Sequence, residues 1–206
     1  MSNFPYSRRQ ILATGLASAA VMAVPLAMPA LAVEKPAGWV LPEEYFPKYV
    51  RIAAGLPPGE IHVDPNTFSL YLTQPEQVAI HYVVGIARGN LYIPGQFTIG
   101  AKKEWPSWTP TKEMIERSPD HYARYADGMP GGPTNPLGAR ALYLFEEQRG
   151  DTFLRIHGTP EPWTVGTAVS NGCVRLVNEH VAHLYENVVL GARVVLYPKI
   201  AAPVAG

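Results

Sequence analysis

Cysteine is nearly absent: the 206 residues hold one, Cys173, so no disulfide can form within the chain. Charge is scarce and balanced, with 17 Lys and Arg against 17 Asp and Glu. That neutrality lacks the basic excess with which nucleic-acid binders neutralise phosphates, so no nucleic acid is expected as a partner. No phosphate-cradling glycine loop and no internal repeat occur, which removes P-loop chemistry and solenoid architectures from consideration. What is plentiful is apolar surface, at 47% hydrophobic residues, enough for one sizeable core. Proline (21) and glycine (18) are frequent, which favours short strands broken by turns over long helices.

Long apolar runs are also missing, with one exception at the N-terminus. Ile11 to Leu31 carries no charge and follows Ser7-Arg8-Arg9-Gln10 directly. Pro25 and Pro29 interrupt it, and Ala30-Leu31-Ala32 offers the small residues that signal peptidases accept. The segment resembles a twin-arginine (Tat) export signal. Ile11 stands where such signals usually have Phe and Ala13 where they often have Lys, so the general secretory route also fits; a membrane anchor is the other reading. The expectation is a signal over 1–32, contact with the membrane only during export, and a mature chain facing the cell wall in the periplasm. A lone thiol in an oxidising compartment then invites the question of its use.

Residues 33–58 are proline-rich and aromatic and read as an extended lead-in that packs partly on the domain. Ile61–Val63, Phe68–Thr73, Val78–Ile86 and Gln96–Ala101 are β-branched or aromatic runs that predict strands. Thr109 and Pro110 predict the start of a helix that Ser118-Pro119 ends, and 129–136 predicts a loop. Ala141–Phe145 and Thr152–Ile156 predict a hairpin. Asn178 predicts a helix cap, followed by Val181, Leu184, Tyr185 and Val188 on one apolar face. Arg193–Tyr197 predicts a closing strand. The fold class is mainly β with a few short helices.

Two segments carry chemistry together. Ile156-His157-Gly158-Thr159 puts a histidine at a strand end, and Ser170-Asn171-Gly172-Cys173-Val174-Arg175-Leu176 puts the only cysteine in a glycine-containing turn sixteen positions later. A thiol becomes a nucleophile at neutral pH when a neighbouring base takes its proton. Asn171-Gly172 favours positive φ, so the N–H groups of Gly172 and Cys173 can converge as an oxyanion hole. Arg175 can hold a substrate carboxylate by paired hydrogen bonds. His180 and His183 could join Cys173 at a zinc ion, but a fourth ligand is missing and no metal or other cofactor is expected.

This pattern resembles the L,D-transpeptidase family, whose signature is a histidine followed at about this interval by Ser/Thr-x-Gly-Cys-hydrophobic-Arg/Asn. His157, Ser170, Gly172, Cys173, Val174 and Arg175 match; Asn171 replaces the histidine that many members carry. The loop from Gly131 to Gly138, with Arg140 and Ala141-Leu142-Tyr143, is also similar. The resemblance covers 59–198, leaving 199–206 as a tail, and implies an L,D-transpeptidase-like β-sandwich of mixed sheets. It further implies that Cys173 attacks the bond between a diaminoacyl residue and D-alanine in a peptidoglycan stem, with His157 as general base. The Gly158 carbonyl would orient the imidazole, Ser170 would shape the turn or lend a hydroxyl, and an amine would resolve the acyl-enzyme. Carbapenem-type inhibitors would acylate the same thiol. Release of the acyl group by water, as in an L,D-carboxypeptidase, fits the same residues, and a non-catalytic peptidoglycan-binding module is the reading from another class. A papain-like protease does not fit, because that group places its cysteine before its histidine.

Overall fold

The computed structural model describes residues 34–200; the export-type segment and most of the tail lie outside the described residues. Eleven strands and three short α-helices follow in order: β1 Lys48–Arg51, β2 Ile61–Asp64, β3 Ser69–Gln74, β4 Val78–Val83, β5 Ile86–Ala87, β6 Gly95–Glu104, α1 Lys112–Arg117, α2 Pro119–Tyr122, β7 Arg140–Glu146, β8 Gly150–His157, β9 Ala168–Ser170, β10 Val174–Arg175, α3 Asn178–Asn187 and β11 Arg193–Leu196. Nine strands form one mixed sheet in the order β1-β4-β3-β2-β11-β6-β7-β8-β10. The final strand β11 sits in its middle, parallel to β2 and antiparallel to β6.

Alternation builds the core. Ile61 and Val63, Leu70 and Leu72, Phe97 and Ile99, Leu142 and Leu144, and Val194 and Leu196 each stand two apart on one strand face, and all are buried in a single cluster. Val181, Leu184 and Val188 of α3 and its exit enter the same cluster. The sheet's two ends also meet. Just after β4, Gly85 exchanges two 2.8 Å backbone hydrogen bonds with Arg175 of β10, and β5 pairs with β9 as a second, two-stranded sheet. The expected mainly β fold of mixed sheets is present, as one nine-stranded and one two-stranded sheet.

Local readings differ from the structure in three places. The lead-in supplies β1, which pairs antiparallel with β4 at the sheet edge. Thr111, not Thr109, caps α1, its hydroxyl accepting from the Met114 amide at 3.3 Å; Thr109 lies beside the Trp108–Met129 bridge instead. Asn178 is the first helical residue rather than the cap, because its Oδ1 accepts the Ala139 amide at 2.9 Å across to another element.

Candidate active site

β8 and β10 run parallel, Val174 beside Ile156 and Arg175 beside His157. Matched residues of neighbouring strands point to the same face, so Val174 and Ile156 enter the core while Arg175 and His157 face away from it. One step back on each strand, Cys173 comes level with Arg155, whose backbone amide reaches the thiol. Cys173, Arg155, His157 and Arg175 therefore share one face. The Cys173 sulfur is partly exposed and lies 4.0 Å from the Phe153 carbonyl. Phe153 occupies the left-handed region at φ 62° within a bulge of β8, and the Arg155–Asp151 ion pair, at 2.6 and 2.8 Å, spans that bulge.

The electrostatics favour neutral partners at rest. Burial, aided by the positive charges of Arg175 and Arg155, holds the His157 pKa down at about 3. A carbonyl can only accept, so the 2.5 Å contact between His157 Nδ1 and the Gly158 oxygen puts the proton on Nδ1 and leaves Nε2 as the basic nitrogen. Burial raises the Cys173 pKa, while the Arg155 amide and the charges of Arg155 and Arg175 oppose that rise. Both directions favour the uncharged form of each group at neutral pH.

The turn is held from inside. Ser170 is buried; its hydroxyl donates to the Cys173 carbonyl at 2.6 Å and stands 3.4 Å from the Gly172 amide, long for a hydrogen bond. Gly172 sits at φ 145°, where a side chain would be strained. Gly158 is required for space: a Cβ there would stand 2.2 Å from Asn178 Oδ1. Asn171 ties the turn outward, its carbonyl accepting from Arg88 at 3.1 Å and Arg117 at 3.2 Å and its amide donating to Tyr122 Oη at 2.6 Å.

Arg175 is largely enclosed. Its side chain is only 17% exposed and lies 3.8 Å from Glu161, and its charge bears on both His157 and Cys173. The zinc alternative finds no arrangement. His183 bonds Tyr82 Oη at 2.7 Å, His180 packs against Phe46, and among the described residues no group of His, Cys, Asp or Glu is placed to hold a metal. Sequence reasoning missed Arg155, Arg88, Arg117 and Tyr122. Arg155 was reachable by alternation, standing two before His157 on one strand; the other three come from distant segments without a local signal.

A sequence profile described as the L,D-transpeptidase catalytic domain (YkuD) matches residues 58–196. The chain is 32% identical over 141 residues to the probable L,D-transpeptidase ErfK/SrfK of Escherichia coli (strain K12), covering 65% of this chain and 42% of that protein. It is 35% identical over 132 residues to the probable L,D-transpeptidase YbiS of the same organism, covering 60% of this chain and 39% of that protein. It thus spans about two fifths of the length of either relative. Among solved structures, a Brucella melitensis chain described as a probable carnitine operon oxidoreductase caia is 45% identical with a TM-score of 0.53, covering 79% of this chain and 96% of that one. The Ldtfm–avibactam carbamoyl enzyme is 14% identical with a TM-score of 0.52, covering 70% and 51%, and shares the fold.

Proposed function

The chain belongs to the L,D-transpeptidase catalytic-domain (YkuD) family, and from that premise we propose that Cys173 is its nucleophile in acyl transfer from a peptidoglycan tetrapeptide stem. The observation that carries this reading is the shared face of β8 and β10, which brings the only cysteine level with the strand that ends on His157. The Cys173 sulfur attacks the carbonyl carbon between the diaminoacyl residue and D-alanine, and its proton passes to His157 Nε2. The tetrahedral oxyanion is received by backbone N–H groups at Gly172 and Cys173. Collapse breaks the amide, His157 returns the proton to the departing D-alanine nitrogen, and a thioester on Cys173 remains. An amine from a second stem then attacks the thioester and regenerates the thiol, leaving a 3→3 cross-link. A neutral imidazole suits this sequence, because a base must be unprotonated before the attack.

The export-type segment supports a periplasmic setting for this chemistry, where peptidoglycan is reached. Incubation of the protein with purified muropeptides, followed by mass analysis, tests the reading: cross-linked dimers with loss of D-alanine are expected, and none from Cys173→Ala. A carbapenem should add one molecule of mass to the same thiol. Monomeric tripeptides alone would identify water as the acceptor, and turnover by a folded Cys173→Ala protein would remove the assignment.

A further inference from the structure

Arg88 follows β5 directly, the strand paired with β9 that leads into the cysteine turn, and Arg117 closes α1. Their guanidinium groups converge on one neutral atom, Asn171 Oδ1, at 3.1 and 3.2 Å. The Asn171 amide group is pinned in that orientation by the 2.6 Å bond to Tyr122 Oη. Among the described residues neither arginine makes a salt bridge, and the one carboxylate that feels the Arg117 charge is the exposed Glu113 one helical turn before it. Two like charges held together by one carbonyl repel each other, in a chain whose formal net charge is zero. A carboxylate at the same place would replace that repulsion with two charge-assisted hydrogen bonds.

We propose that Arg88 and Arg117 form a carboxylate anchor beside Cys173, which takes the terminal carboxylate of the acyl donor's leaving D-alanine. This identification of the ligand rests on the transpeptidase reading above. Asn171 stands two residues before Cys173, so their Cα atoms are at most about 7 Å apart. The terminal carboxylate is three bonds beyond the carbonyl carbon under attack, so the anchor and the sulfur can hold the same amino acid. Binding exchanges the Asn171 carbonyl for the carboxylate and leaves its amide on Tyr122. The site selects donors that end in a free acid directly after the scissile bond, and positions them without taking part in bond making.

Alkylation of Cys173 by iodoacetate and by the uncharged iodoacetamide reads the anchor directly, without any peptidoglycan. The ratio of the two rates should fall about threefold in Arg88→Gln or Arg117→Gln and about tenfold in the double variant, with the iodoacetamide rate little changed. Glutamine removes the charge and keeps an amide donor. A ratio that shifts less than twofold in a folded double variant would overturn the anchor. If the variants do not fold, the unaltered protein decides: N-acetyl-D-alanine should protect the thiol from iodoacetamide and N-acetyl-D-alaninamide should not, and equal protection refutes the proposal. Stem tetrapeptide should likewise be turned over in preference to its C-terminal amide. Cross-linking with an unresponsive alkylation ratio removes the anchor alone, whereas a responsive ratio without any peptide conversion keeps the anchor and removes the transpeptidase reading.

Discussion

A histidine held near pKa 3 and a thiol pushed above its ordinary value divide the pH scale between them. His157 is neutral across the neutral range, so its own protonation sets no acid limb near the ordinary 6.5. Alkylation of Cys173 by iodoacetamide should climb with pH to a midpoint above that of an ordinary thiol. A rate plateau reaching into acid would instead reveal an ion pair and contradict the neutral resting state. Stability follows with a definite sign. Below 6.5 the unfolded chain takes up a proton that folded His157 refuses until about 3, so the urea midpoint should fall as pH drops through that window. Space is the other residue-scale constraint. Gly158→Ala drives a methyl onto Asn178 Oδ1 and should cost about 1–3 kcal/mol in urea denaturation. Adding Asn178→Ala should recover part of the loss; a Gly158→Ala protein as stable as the parent would mean the packing is otherwise. The His157/Cys173 pair was legible because both residues sit in short local motifs. The Arg88 and Arg117 convergence was not, since only the tertiary fold brings β5, α1 and the cysteine turn to one atom.

Elements were legible in proportion to their length and alternation. The hairpin of β7 and β8 and the buried face of α3 follow periods two and 3.6 over many residues, and the structure holds both. β9 and β10, three and two residues long, exist only through pairing with β5 and β8 and left no pattern to read. Asn178 misled because an Asn before an apolar run favours a cap, while a tertiary partner, the Ala139 amide, claims its oxygen. The C-terminus of α3 is closed by a residue from β6. Lys102 Nζ donates to the Tyr185 and Val188 carbonyls at 2.5 and 2.7 Å and lies 4.2 Å from the Tyr185 ring centre. A cation at the negative end of a helix, bonded to its orphan carbonyls, is favourable twice over. Lys102→Met should therefore lower stability by about 1–3 kcal/mol. Thermal denaturation checks this, and an unchanged midpoint would show that water replaces the lysine at no cost.

For the whole molecule, the edges of the sheet matter most. β1 covers the outer side of β4 in a register running from Lys48 opposite His81 to Arg51 opposite Val78. Deleting residues 34–51 exposes that ladder to other chains, which native proteins avoid. The shortened protein should melt about 5 °C lower and sediment partly as dimers or larger species; a monomer of unchanged melting point would show β1 to be ornamental. The opposite edge has a different fate. β10 is clasped between β8 and Gly85, so the cysteine turn stands where chain laid down early meets chain laid down late.

That seam has a consequence in time. Its partners are separated by about half the chain, and such distant contacts form slowly because a long loop must close first. Until the seam closes, Arg175 lacks its two bonds to Gly85 and the cysteine turn is held only from the β8 side. The complete surroundings of the cysteine turn exist only once that closure is made. The fully clasped cysteine turn is thus a mark of completed folding, absent from every form in which the seam is open.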